Sequence, residues 1–439
     1  MATKVLKFGG SSLADAAQFR KVADIVRNRP GCRYIVASAP GKRFPEDVKV
    51  TDMLYQCNAL ADEGKDIREV FGTIEARYNE IISELGLDFS LEEDFNEVRE
   101  TIQGHAGNDY VASRGEYLNA KVLAAYLGFD FVDAADGIHF HEDGTLNENG
   151  TYQALVELLD PLEHAVIPGF YGSMPDGSIH TFSRGGSDIT GSIVARAAAA
   201  DIYENWTDVS GMLMADPRIV DKPHVITEIT YQELRELSYM GATVMHDEAI
   251  FPVREAFIPI NIRNTNAPDD PGTMIVPRTN QIPDETVITG IAGKEGFSVI
   301  TIEKDRMNAE VGFARKVFTA LEDHEVPFEH VPTGIDTMSV VVSSDAIAHC
   351  RESLISRIFG DTRADAVTIE DNLAMLAVVG RGMVQAKGTA GRVITSIADQ
   401  NINIRMIDQG SCETNIIVGI SEEDYPRAMR AVYNEFVRS

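Results

Sequence analysis

Cysteine is scarce in this chain of 439 residues: Cys32, Cys57, Cys350 and Cys412 stand far apart and form no C-x-x-C pair. That spacing excludes a zinc knuckle and a disulfide framework, and leaves reduced thiols as the expected state. Positive charge is scarce too. The 39 Lys and Arg face 68 Asp and Glu, a formal net charge of −29. Such a balance speaks against nucleic acid or an anionic membrane as partner, because phosphate-rich surfaces demand a basic face. No apolar run is long enough to span a bilayer and no charged-then-apolar leader follows Met1, so the cytoplasm is the expected location. Low-complexity segments are missing, as are Gly-x-x-x-x-Gly-Lys and Gly-x-Gly-x-x-Gly, which removes the usual P-loop and dinucleotide readings. What is present is 44% hydrophobic content over a length that suggests two or three domains.

The first informative stretch is Lys7-Phe8-Gly9-Gly10-Ser11-Ser12 after the apolar pair Val5-Leu6. It reads as strand, glycine turn, helix. The glycines let backbone amides approach an oxyanion, Ser11 and Ser12 are placed to cap the following helix, and Lys7 adds a mobile charge. A second junction, Phe182-Ser183-Arg184-Gly185-Gly186-Ser187-Asp188, opens an Ala-rich helix through Ala197. There Arg184 offers a fork for a carboxylate or phosphate, and Asp188 a carboxylate for a metal or an ammonium. Two such turns suggest one phosphoryl-transfer site. A third element runs from Asn205-Trp206-Thr207-Asp208 through Gly211 to Asp216-Pro217-Arg218.

Together with Ser113-Arg114-Gly115-Glu116, these motifs resemble the aspartate kinases of the amino acid kinase superfamily, over essentially the whole chain. Their order and separation carry the likeness. Ser11 stands where the family most often has threonine and keeps the hydroxyl.

Residues 1–280 alternate short apolar runs (Val5–Phe8, Tyr34–Ala37, Phe129–Val132, Ala165–Ile167, Ile258–Ile262) with helical patterns, among them Ala14–Arg27 and Leu118–Leu127. That alternation argues for an α/β fold, a parallel-rich sheet sandwiched by helices. A helical insertion is expected over about 50–105, and a boundary in the Pro-rich stretch 264–283. Beyond it the sequence repeats. Gly312-Phe313-Ala314-Arg315-Lys316-Val317-Phe318 matches Gly388-Thr389-Ala390-Gly391-Arg392-Val393-Ile394, an offset of 76 residues at which Gly334 meets Gly410, Val340 meets Ile416 and Val342 meets Val418. Each copy reads as a ferredoxin-like βαββαβ unit and resembles an ACT domain. The second copy ends on a helix while a spare strand lies upstream. The expected layout is therefore 1–280 catalytic, 297–372 the first ACT domain, and 285–292 plus 373–439 the second.

The resemblance implies ATP-dependent phosphorylation of the L-aspartate β-carboxylate with Mg2+, the first step toward lysine, threonine and methionine, in a monofunctional enzyme. It implies lysine or threonine as effector and a homodimer or higher homo-oligomer formed through the ACT domains. Lys7 would neutralise charge on the transferred phosphoryl and Arg184 would hold the substrate α-carboxylate. Glu116, read as opening the helix to Leu127, would face the substrate amino group. Asp188 is left with three roles: holding magnesium indirectly, orienting Lys7, or meeting the ammonium. Ser38, Thr51 and Ser187 complete the substrate side. Gly9, Gly10, Ser11, Thr207, Asp208, Leu213, Arg218 and Thr243 are the expected nucleotide contacts. Leu213 and Thr243 replace a tyrosine and a lysine of some relatives, which points to adenine held by shape and backbone. For the effector, Met307, Gly312, Phe313, Glu329, Thr333 and Gly334 flank one turn and strand of the first ACT copy. His246, His324 and His330 show no metal-ligand spacing, and no protein-held metal centre is expected. The substrate carboxylate is already ionised, so no general base is needed. Two rivals remain: another amino acid kinase, acting on glutamate or acetylglutamate, and a catalytically silent amino-acid sensor.

Overall fold

The computed structural model describes residues 2–183, 185–242, 245, 247–278, 287–410 and 412–437. They fall into two compact units. One comprises 1–212, 225–231 and 244–279, and the other 213–224, 232–243 and 280–439. No helix among the described residues is long and apolar enough to cross a membrane.

The first unit is built on strands β1 (Lys4–Phe8), β2 (Cys32–Ala37), β3 (Asp130–Phe131) and β4 (Ala165–Pro168), the hairpin β5 (Tyr171–Ser173) and β6 (Ile179–Thr181), and β7 (Ile202–Thr207), β8 (Glu228–Thr230), β9 (Ile260–Asn264) and β10 (Thr273–Val276). Eight of these form one sheet in the order β3-β4-β2-β1-β7-β9-β10-β8. Every neighbouring pair is parallel except β9 with β10. The central strands are buried along most of their length, as expected for a parallel sheet covered on both faces. The expected insertion is three helices, Val50–Asp62, Arg68–Leu85 and Glu92–Gln103, whose apolar faces join the core of the sheet.

The second unit carries β11 (Gly290–Glu303), β12 (Thr337–Ser343), β13 (Ala366–Val379), β14 (Met406–Asp408) and β15 (Asn415–Ser421) in one antiparallel sheet, ordered β12-β11-β13-β15-β14. The spare strand expected before the first ACT copy and that copy's own first strand are a single strand, β11. Its register against β13 shifts between Lys294 and Val299. The described part of β11 and β13 thus runs through both copies. The helices that open each copy, Phe313–Asp323 and Thr389–Ala398, start from glycines of the same left-handed conformation, Gly312 at φ +83° and Gly388 at φ +86°.

Two stretches from the middle of the chain pack with this unit. Ile291 N–H donates to Met214 O at 2.7 Å and His224 N–H to the Tyr433 hydroxyl at 2.9 Å. On the helix Tyr231–Tyr239, Glu233 pairs with Arg381 at 2.7 Å and accepts from Thr289 Oγ1 at 2.6 Å.

Candidate active site

The glycine turns meet at the C-terminal ends of the central strands. Lys7 on β1 lies in register with Asn205 on β7. Its Nζ is 2.5 Å from Asp188 Oδ1 and 3.4 Å from Asn205 Oδ1, and Asn205 Nδ2 donates to Asp188 Oδ1 at 3.0 Å. The side chains of Lys7 and Asp188 are 10% and 15% exposed, so the pair is nearly out of water yet open at one side. Asp188 sits in the first turn of the helix Gly186–Ala197, whose cap, Gly185, has φ +59°. Asp188 thus stands in direct contact with Lys7, as the second of its three possible roles requires.

The turn after β1 needs glycine for closeness. A Cβ on Gly10 would stand 2.8 Å from Ala39 O, and one on Gly41 2.6 Å from the Gly10 carbonyl carbon. The loops after β1 and β2 thus touch backbone to backbone, joined by Gly41 N–H to Gly10 O at 2.8 Å. At Gly9 a Cβ would come within 3.7 Å of Lys7 Nζ, so the ammonium lies over the glycine turn. Ser11 and Ser12 do not cap the next helix, contrary to expectation. They belong to a 3-10 turn, Gly10–Leu13, with no side-chain cap, and the helix Ala16–Asn28 is capped by Asp15, which accepts from Gln18 N–H at 2.9 Å. Ser12 Oγ instead hydrogen-bonds Thr265 Oγ1 at 2.7 Å.

Glu116 departs further from its sequence reading. It does not open a helix; the helix runs Asn108–Leu127, with Gly107 as its cap, and Glu116 lies mid-helix. A helix-dipole role is thereby removed. Glu116 is buried, and burial raises its carboxyl to about 8, opposed by the Ala39 backbone N–H and more weakly by Arg114 and Lys7. Its Oε2 has no hydrogen-bond partner among the described residues. Around it, Asn119 Nδ2 donates to Ser38 O at 2.7 Å, and Thr51 Oγ1 would stand 3.6 Å from a Cβ on the adjacent Gly115. Ser187 packs against Gly169, beyond β4, with Oγ 2.6 Å from where a Gly169 Cβ would be. Ser38, Thr51 and Glu116 thus gather beside the Gly10–Gly41 contact, while Ser187 stands at the other turn. Arg114, in the same motif as Glu116, is a caged core group. Its guanidinium lies 4.6, 4.5 and 5.2 Å from the ring centroids of Tyr110, Tyr117 and Tyr171.

The expected nucleotide residues divide. Thr207 ends β7 and Asp208 follows it, linked hydroxyl to carboxylate at 3.2 Å. Leu213 and Arg218 belong to the second unit, where Arg218 chelates Asp216 with Nε at 3.0 Å and Nη2 at 2.6 Å. Arg184, Thr243 and His246 lie outside the described residues. Asn205 was part of a motif without a role; only strand pairing brings it to Lys7.

Of the effector residues, Met307 and Phe313 are withdrawn into the core of the second unit, 3% and 4% exposed, because the helix Phe313–Asp323 and the turn before it turn their apolar faces inward. Their side chains are packing groups. Gly312, Glu329, Thr333 and Gly334 remain toward the surface. The Glu329 carboxylate accepts from the Tyr239 hydroxyl, Thr333 Oγ1 donates to Val331 O at 3.0 Å, and Gly334 N–H donates to Thr337 O at 2.7 Å.

Comparison with known proteins agrees with this geometry. The amino acid kinase family profile matches residues 2–264, and an ACT domain profile matches residues 376–436. Aspartokinase 3 of Bacillus subtilis is 40% identical over 99% of this chain and 98% of its own length. Aspartokinase 1 of Arabidopsis thaliana, a chloroplast protein, is 28% identical over 100% of this chain and 80% of its own. The crystal structure of Clostridium acetobutylicum aspartate kinase, described as an allosteric enzyme, is 48% identical, covers 100% of both chains and superposes with a TM-score of 0.91. The chain belongs to the amino acid kinase family, and within it to the aspartokinases.

Proposed function

We propose that this protein transfers the γ-phosphoryl group of ATP to the β-carboxylate of L-aspartate. A carboxylate oxygen attacks the γ-phosphorus, the bond from that phosphorus to the β,γ-bridging oxygen breaks, and 4-phospho-L-aspartate and ADP leave. The observation that carries this reading is the Lys7–Asp188–Asn205 cluster at the junction of two glycine turns. A mobile ammonium held by a carboxylate over a glycine turn suits a transferring phosphoryl group, where positioning and electrostatics supply nearly all the catalysis. It also weighs against a silent sensor. Thr207 and Asp208 are the residues we assign to the nucleotide. Glu116 meets the substrate ammonium, with Ser38, Thr51 and Ser187 around the same ligand.

Kinase chemistry implies magnesium. Among the described residues no group of three or more His, Cys, Asp or Glu is placed to hold an ion. Asp188 and Asp208 beside the turns fit a cation carried mainly by the phosphates, with a carboxylate as its protein anchor. When bound, the ion draws charge from the β- and γ-phosphate oxygens.

Aspartate-dependent ADP release in a coupled assay tests the activity, with glutamate and N-acetylglutamate as competing acceptors. Faster turnover with either, or none with aspartate, overturns it. Arg184→Ala should raise the aspartate KM at least about tenfold with kcat changed only severalfold, because the α-carboxylate is bound alike in ground and transition states. The reverse pattern would move Arg184 to the phosphoryl group.

The second unit we read as two ACT domains, 297–372 inserted within 285–292 plus 373–439, sensing lysine or, second, threonine. The Gly312 turn leaves amides for an effector carboxylate, and Glu329 supplies a counter-charge for a cationic amine. Val311 is 99% exposed beside that turn, and Ile335, on the loop before β12, is 68% exposed; both suit burial against a second copy of the chain. Glu329→Ala and Gly334→Asp should relieve inhibition by lysine and leave uninhibited turnover near that of the parent. Inhibition curves unchanged in both variants would place the effector elsewhere. Coupling must be reciprocal, so aspartate should weaken lysine binding as lysine weakens aspartate binding.

A further inference from the structure

Arg77 lies on the insertion helix Arg68–Leu85, away from every motif, and is 3% exposed. Its guanidinium reaches three separate backbone segments. Nη1 donates to Val48 O at 3.0 Å, and Nη2 donates to Ala14 O at 3.2 Å and to Gly41 O. Nη1 also pairs with Asp47 Oδ2 at 3.4 Å. Asp47 is in turn chelated by Arg43, through the backbone N–H at 2.9 Å, Nε at 2.9 Å and Nη2 at 3.1 Å.

The three carbonyls are those that frame the site. Ala14 closes the 3-10 turn after the Gly9–Gly10 pair. Gly41 is the residue whose N–H holds Gly10 O, and Val48 precedes the helix that carries Thr51. A buried cation is costly to keep when an apolar side chain could fill the same volume. Here the fork is spent on loop carbonyls rather than on neighbouring helices. We propose that Arg77 is a positioning residue: it fixes the phosphate-side turn after β1 against the substrate-side loop after β2, and so sets the distance between phosphoryl donor and acceptor carboxylate. This rests on the kinase reading above. Arg77 touches neither ligand.

The test uses the full-length protein with Arg77→Lys, which keeps the charge but loses the planar fork, Arg77→Ala, and Asp47→Asn, which removes the charge that orients the guanidinium. Arg77→Lys should melt near the parent but lose about thirtyfold in kcat per folded molecule, the scale expected of a misaligned attack. Asp47→Asn should lose less. Millimolar guanidinium, far below denaturing levels, should restore part of the Arg77→Ala activity and none to Arg77→Lys. Hydrogen exchange supplies a readout independent of turnover: the amides of 10–14 and 41 should exchange faster in Arg77→Lys. If Arg77→Ala fails to fold, the lysine and Asp47→Asn variants carry the test. Kinetics and exchange both within twofold of the parent in Arg77→Lys overturn the inference. A parent without aspartate-dependent ADP release overturns the kinase reading instead, and the exchange data then decide on the clamp alone.

Discussion

Lys7→Ala is expected to lower kcat at least about a hundredfold, the loss typical when a charge aimed at a developing oxyanion is removed. The reason is local. Lys7 is the cation that lies over the Gly9–Gly10 turn, and Asp188 at 2.5 Å holds it there while Asn205 aligns both. A phosphoryl group entering the turn would compete with Asp188 for the ammonium. Asp188→Ala should cost a similar factor by letting Lys7 swing, and the double variant should cost little more than either single one, because the two act as a unit. The fold should survive. In Lys7→Ala, Asp188 keeps its hydrogen bond from Asn205 and its open side admits water. Steady-state and single-turnover rates at saturating aspartate and ATP read the effect, with thermal melts as control. Turnover within a fewfold of the parent in either single variant removes Lys7 from the chemistry.

Lys7 and Asp188 were legible because each is tied to its turn by adjacent glycines, a local signal. Asn205 was not, since its place opposite Lys7 exists only once β1 and β7 pair. The helix carrying Glu116 hid its true start for another reason. From Val111 to Ala124 it is buried on nearly every face, so the polar–apolar period that marks a helix end is missing, and Gly107 caps it without a side-chain signal. The duplication was visible, but its register was not. The helices repeat at 76 residues, whereas the strands β12 and β15 correspond at 78, from Ser343 to Ser421, each at the start of a following helical turn. Val340 therefore matches Val418 and not Ile416. A two-residue slip keeps every side chain on its face of the sheet, so burial patterns cannot reveal it. Likewise the prolines at 268–283 suggest a boundary in the sequence, while compactness follows contacts: 213–224 and 232–243 pack with the second unit although they precede that boundary.

Glu116 yields the other large effect, through protons. Burial raises its carboxyl from 4.5 to about 8, so the ligand-free native state keeps a proton that the unfolded chain gives up between those values. Stability from this group is complete below pH 4.5 and is lost as pH rises toward 8. Glu116→Gln, which resembles the protonated form, should then match the parent near pH 5 and exceed it at pH 8, by roughly 5 kcal/mol at most from the size of the shift. Melting temperatures of the ligand-free proteins across pH 5–9 measure this. Aspartate reverses the balance. Its ammonium would give the lone Oε2 a charged partner and favour the carboxylate, so binding at pH 7 should release close to one proton, and none near pH 9. Calorimetric titrations in two buffers of different ionisation enthalpy count that proton. In Glu116→Gln the release should vanish and the aspartate KM should rise roughly ten- to a hundredfold, the value of one hydrogen bond between charged groups. The same ionisation makes kcat/KM for aspartate climb with pH up to about 8 in the parent and stay flat over that range in the variant. Aspartate binding without proton release at pH 7, together with a parental KM in Glu116→Gln, would show that the substrate ammonium is met by another group.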